Sequence, residues 1–289
     1  MAAKSRSLKG QSCSPLGERE AGSGGSCYSK QQLVTIATAY NRKYSDKPPI
    51  PLSVSKDDLW NHLDRRMQQQ CDTESCWLDK LQIESRIVNQ YGSSPFRPRG
   101  PANNNQWLST VNIREVLKQY EDVYPDFIAL GPVPIDFCKL AYNEVCNINL
   151  KQVISKGKRR IGIVFNTDPS DKPGKHWVSM FIDLSGNPDQ WEVNYFDSYG
   201  RAKVAPEIRN LIKNLKTQHP SMIVRMNCSD DFCTAMVNHQ KLNTECGVYS
   251  INFIVERLHG RSWKDMVTDN LYDDATVARK RKVFFRLGT

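Results

Sequence analysis

Apolar residues recur at helical spacing early in this chain. After Ser29, the residues Leu33, Ile36, Ala37 and Tyr40 fall on one face, the signature of an amphipathic helix. Lys47-Pro48-Pro49-Ile50-Pro51 breaks the pattern, because proline removes a donor and bars the helical conformation of its predecessor. A second helix is expected after Ser55. Lys56-Asp57-Asp58 fill its first turn, where acidic groups suit the helix dipole, and Leu59, Leu63 and Met67 form its buried face. With the segment Cys71 to Leu81 these make a small helical module over 28–92. The stretch 92–105, with Pro95, Pro98 and Pro101 among glycines and asparagines, reads as its boundary. Residues 1–27 are rich in Ser, Gly, Lys and Arg. They are expected to be a disordered basic tail.

Beyond the boundary the pattern mixes two periods. A helix is expected from Val111 to Tyr120, and strands at 160–166, Trp177 to Leu184 and Trp191 to Phe196. Ser185-Gly186-Asn187-Pro188-Asp189 joins the last two as a hairpin. A helix fits 205–217, with Pro206 in its first turn and Pro220 beyond its end, and a strand fits 221–227. In 246–258, Val248, Ile251, Val255 and Leu258 share a helical face that Gly260 closes. The last forty residues read as helical and basic. Short strands between helices, without an internal repeat, give an α+β domain over 93–289.

Composition narrows the picture only a little. In 289 residues, hydrophobic content of 39% and charged content of 25% are ordinary for a globular protein. No apolar run reaches the roughly 18–20 residues of a membrane span, and the N-terminus lacks the apolar core of a secretory signal. Nine cysteines are an odd number without the density of a disulfide scaffold; mostly free thiols in a reducing compartment are expected. Net charge of +9 draws on two dense patches, Lys156, Lys158, Arg159, Arg160 and Arg279, Lys280, Arg281, Lys282. They leave nucleic-acid contact open, although no nucleic-acid-binding motif accompanies them.

Candidate chemistry lies between Gly174 and Ser250. Cys246 opens a predicted helix, where unpaired N–H groups and the dipole favour the thiolate, although most lone cysteines are simply small buried hydrophobes. His176 opens one strand of the hairpin and Asp197 ends the other, so a base and an orienting carboxylate come together. Read singly, they are a surface histidine and a turn aspartate. Gln240, six residues before Cys246, offers an amide to a developing oxyanion together with the Cys246 N–H; otherwise it is an exposed loop glutamine. Jointly these residues fill the roles of nucleophile, base, orienter and oxyanion donor. A zinc reading of Cys228, Cys233, His239 and Cys246 has gaps of four, five and six residues between its ligands and no C-x2-C pair. Cys71 and Cys76 are no better as a pair of ligands. No cofactor or metal is expected.

The order His176-Trp177, Asp197-Ser198, Gln240, Glu245-Cys246-Gly247 resembles the SUMO-specific (ubiquitin-like-protein) and adenovirus-type cysteine proteases over about 105–260. The resemblance implies a papain-like core on an α+β fold and cleavage after a Gly-Gly pair threaded between two tryptophans, here Trp177 and Trp107. Ser109-Thr110 stand where the family's SUMO-contacting acidic residue is usual, a departure that weakens a SUMO reading. A helical module before the core is also similar to the structural-polyprotein proteases of large cytoplasmic DNA viruses, and there Asn166 is the matching substrate-contacting position.

Three functions follow as expectations. The first is a thiol endopeptidase that processes viral structural polyproteins after Gly-Gly during virion maturation, in host cytoplasm and virion. The second is the same chemistry directed at SUMO or another ubiquitin-like conjugate. The third is a non-catalytic, basic binding protein.

Overall fold

The computed structural model describes residues 12–21, 25–102, 105–141, 144–200 and 202–286. The chain divides into two compact units, Met1–Pro98 and Arg99–Thr289. The first holds α1 (Pro15–Ala21), α2 (Lys30–Lys43), α3 (Lys56–Met67), α4 (Cys76–Leu81) and α5 (Glu84–Tyr91). Ser29 and Gln32 close a reciprocal capping box at the start of α2, and the Ser55 hydroxyl accepts the Asp58 N–H at the start of α3. The expected apolar faces of both helices are buried, together with Tyr28, Trp60 and Trp77.

The disordered tail expected over 1–27 is corrected in part. Cys13 and Cys27 form a disulfide, both are buried with Ser14 and Ser26, and α1 lies between them. Composition weighed the polar residues of this segment and missed the cross-link that orders it. Residues 1–11 and 22–24 lie outside the described residues. The expectation of free thiols is corrected as well. Cys71–Cys76, Cys138–Cys146 and Cys228–Cys233 are also disulfides, and Cys246 alone is free. The odd count therefore reflects four pairs and one thiol left over.

The second unit is built on a six-stranded sheet. Its strands are β1 (Phe127–Ala129), β2 (Val133–Pro134), β3 (Arg160–Asn166), β4 (Trp177–Asp183), β5 (Glu192–Phe196) and β6 (Ile223–Asn227). The order is β1-β3-β4-β5-β6, with β2 also on β3. Strand β4 runs antiparallel to both β3 and β5, while β1 and β2 join β3 in parallel and β6 joins β5 in parallel. The short β1 and β2 were not anticipated; a Gly-Pro-Val-Pro segment gives no period-2 signal.

On one side of the sheet lie α6 (Thr110–Val123), α9 (Cys246–Leu258) and α10 (Asp274–Phe284), sharing a core with Val164, Phe181 and Phe196. On the other, α7 (Leu150–Ser155) and α8 (Pro206–Gln218) cover Ile163, Met180 and Tyr195. Every residue of α9 is buried, and its apolar side chains run all round the helix, as expected of a helix enclosed by protein. Among the described residues no helix is long and apolar enough to cross a membrane.

Both basic patches are largely consumed internally. Arg160 pairs with Asp126, Lys280 with Glu256, and Arg281 is buried against Glu245. Lys158 and Arg159 donate to backbone carbonyls, Lys158 to those of Pro125 and Phe127 and Arg159 to that of Ile154. A nucleic-acid contact through these patches has no support here.

Candidate active site

The β4–β5 hairpin sets the geometry of the site. Ser179 pairs with Phe196 in the antiparallel register, so the residue preceding β4 and the residue following β5 emerge at one end of the sheet. These are His176 and Asp197. The His176 Nε2 lies 2.7 Å from an oxygen of the buried Asp197 carboxylate, which leaves Nδ1 for the side of the ring that engages Cys246. Cys246 lies close enough to this imidazole to favour its protonated form. Burial pushes the imidazole down, but the Asp197 hydrogen bond and Cys246 outweigh it and hold His176 up at about 9. An imidazolium beside a thiol favours the nucleophilic thiolate.

Cys246 comes from a different element, the first position of α9, where its N–H has no acceptor within the helix. Gly247 follows for a steric reason. A Cβ there would meet Leu108 at 3.0 Å, so glycine lets the Trp107-Leu108 segment close over the helix start. Leu108 also accepts the Trp177 indole N–H at 3.0 Å, tying that segment to β4.

Gln240 is fully buried, not an exposed loop residue. Its Oε1 accepts the Ser198 hydroxyl at 2.7 Å, and its Nε2 donates to the Leu242 carbonyl. The two contacts fix which end of the amide is which and leave one N–H, facing the Tyr199 hydroxyl at 3.5 Å, well beyond a normal bond. That N–H is the one available to an incoming oxyanion.

Several contributors to this geometry carried no signal in the sequence. Tyr199 donates its backbone N–H to Asp197 at 2.9 Å and lays its ring against His176, with centroids 4.8 Å apart. Buried Asn227 donates to the carbonyls of Asp197 and Val237. Both act through backbone geometry that residue type alone does not announce, although the Asp197-Ser198-Tyr199-Gly200 run marks the turn.

A cavity of about 580 Å³ adjoins the site, lined by Trp107, Trp177, Asn166, Val133 and Leu140 among others. Trp107 is 45% exposed, whereas Trp177 is buried, so one indole is a fixed wall and the other stands partly in solvent. Asn166 lines the cavity, but its Oδ1 is already engaged by the N–H groups of Asp168 and Lys175. The positive φ of Gly174 suits the tight turn that brings this loop onto Asn166, whose amide nitrogen a Cβ would meet at 2.4 Å. Ser109 caps α6 through Asn112, which gives it a structural task. The zinc reading does not fit. Cys228 and Cys233 are bonded to each other, and buried His239 packs by Phe196, its imidazole pushed down to about 4 by burial.

The chain is similar to known proteases. Residues 146–285 match the Ulp1 protease family, C-terminal catalytic domain, a span that includes His176, Asp197, Gln240 and Cys246. The chain is 29% identical over 278 residues to a putative thiol protease of Acanthamoeba polyphaga mimivirus, covering 90% of this chain and 89% of that one. It is 29% identical over 249 residues to a cysteine protease of African swine fever virus, covering 80% and 88%; the counterpart in another isolate is named a SUMO-1 cysteine protease. The crystal structure of the African swine fever virus protease superposes with a TM-score of 0.61 at 25% identity, covering 81% of this chain and 90% of that one. Its fold is therefore the mixed α+β fold expected, with a helical region ahead of it, and the chain is a cysteine protease whose residues 146–285 match the Ulp1-family catalytic domain.

Proposed function

We propose that this protease is an endopeptidase cleaving after Gly-Gly in viral structural polyproteins. Cys246 attacks the scissile carbonyl, and His176 takes up and returns the proton. Asp197 holds the imidazole tautomer, while Gln240 and the Cys246 N–H receive the oxyanion. The observation that carries the substrate reading is the slot walled by Trp177, the residue after His176, and flanked by Trp107. A residue with a Cβ threaded between two indoles meets their rings, and glycine does not. The similarity to virus-encoded proteases supports a viral protein substrate. Action in the host cytoplasm and the virion during maturation follows from that reading, and four disulfides sit better with the virion than with reducing cytosol.

SUMO deconjugation is the second reading, favoured by the names of three relatives. The test pairs wild type with Cys246→Ala on a fluorogenic Gly-Gly-Xaa peptide and on a SUMO C-terminal reporter. Peptide cleavage abolished by the substitution supports the first reading. Preferential turnover of the SUMO reporter replaces it with the second.

A further inference from the structure

We infer that α10 positions the oxyanion loop, with Asp274 as the residue that holds Gln240 in register. The loop between Gln240 and Cys246 has little packing of its own, since Lys241, Leu242 and Asn243 are exposed and the Leu242 side chain is 58% accessible. Apart from the Tyr199 hydroxyl, which donates to the Leu242 carbonyl at 3.2 Å, what restrains it comes from α10. An Asp274 oxygen accepts both the Lys241 and the Leu242 N–H at 2.9 Å. The other oxygen lies 3.1 Å from the buried Tyr249 hydroxyl on α9, which keeps the carboxylate oriented.

Asp274 is free for this work because Asp273 caps α10 by accepting the Thr276 N–H. Seven residues along the same helix, Arg281 grips the far end of the loop, donating to the Glu245 carboxylate at 2.8 Å and the Thr244 carbonyl at 3.1 Å. Seven residues are two helical turns, about 10 Å, so one rigid helix spans the loop and holds it at both ends.

The consequence for chemistry runs through Leu242. Its N–H is held by Asp274, and its carbonyl anchors the Gln240 Nε2. Freeing the Lys241 and Leu242 N–H groups lets the loop backbone shift, the Leu242 carbonyl moves with it, and the amide loses the contact that aims its remaining N–H. The nucleophile and His176 are untouched by this movement. Asp274 is thus a positioning residue for the oxyanion step alone, a role that rests on Gln240 serving as oxyanion donor.

The experiment compares wild type, Asp274→Ala and Asp274→Asn by turnover of the reporter that wild type cleaves, iodoacetamide alkylation of Cys246, and amide hydrogen exchange. In Asp274→Ala, kcat is expected to fall about 10- to 100-fold, somewhat less than removal of an oxyanion donor outright. KM and the alkylation rate hold within about threefold, on the same principle that only the oxyanion step is affected. Lys241 and Leu242 amides exchange faster. Asp274→Asn keeps an acceptor oxygen and recovers most of kcat. Unchanged exchange at Lys241 and Leu242, unchanged kcat, or alkylation falling in step with kcat would each overturn the inference. Gln240→Ala with full turnover would refute the oxyanion role itself. If wild type cleaves neither reporter, the substrate reading fails, and the exchange measurement decides the clamp.

Discussion

Each unit of this molecule buries a glutamate to 1% exposure, and the two are used differently. Glu74, in the helical unit, gathers the Ser26 hydroxyl, the Cys27 N–H and the Trp60 indole N–H, while Tyr28 donates to its carbonyl. It ties the segment after α1 to α3 and stabilises the unit's own fold. Glu245, in the protease unit, stands next to the nucleophile and meets buried Arg281 from α10. One carboxylate closes a core; the other links a distant helix to the residue before Cys246. Burial alone therefore says little about whether a polar group serves stability or chemistry. Its neighbours along the chain decide that.

Breaking the catalytic side of this comparison should give the largest effect. His176→Ala is expected to lower kcat by about 10²- to 10⁴-fold, the range for loss of a positioned acid–base, while circular dichroism shows the fold intact. Arg281→Ala removes the countercharge of a buried carboxylate. A loss of about 3–5 kcal/mol in stability is expected, read by denaturant unfolding; a loss under 1 kcal/mol would mean that Glu245 finds another partner. Glu74→Gln leaves a donor facing donors and should cost about 1–3 kcal/mol, with kcat of the folded fraction unchanged. A drop in kcat there would erase the distinction between the two glutamates.

The smallest effect is the gradual response to pH. His176 is raised from 6.5 to about 9, so activity should hold through neutral pH and decline as pH rises through about 9, when the imidazolium is lost. The linkage has the same sign. Because the folded pKa is the higher one, the stabilisation from this group is complete below about 6.5 and disappears as pH rises through about 9. Melting temperatures that rise between pH 7 and 10 would contradict the ion pair.

Much of this was legible in the sequence because it is local. Strand β3 and the α9 helix fall at the residues their apolar periodicity indicated, 160–166 and 246–258. The hairpin that brings His176 and Asp197 together was readable from its Gly-Asn-Pro turn. What escaped was non-local or too short. Asp274 acts on residues 32 and 33 positions away and Arg281 on one 36 away, separations at which sequence pattern carries no pairing information. In the sequence Arg281 is one member of a dense basic patch, because charge runs reveal composition and not direction. The cysteine pairs of four residues or fewer between partners, Cys71–Cys76 and Cys228–Cys233, have spacings equally compatible with free thiols.

That pairing has a practical corollary. With every other cysteine of the chain bonded to a partner, Cys246 is the one free thiol in the protein. Under non-reducing conditions, a small alkylating agent has a single target, and the equivalents it consumes count competent molecules directly. The folded enzyme is in that sense its own standard: mass added per chain, zero or one, reports the fraction able to turn over before any substrate is known.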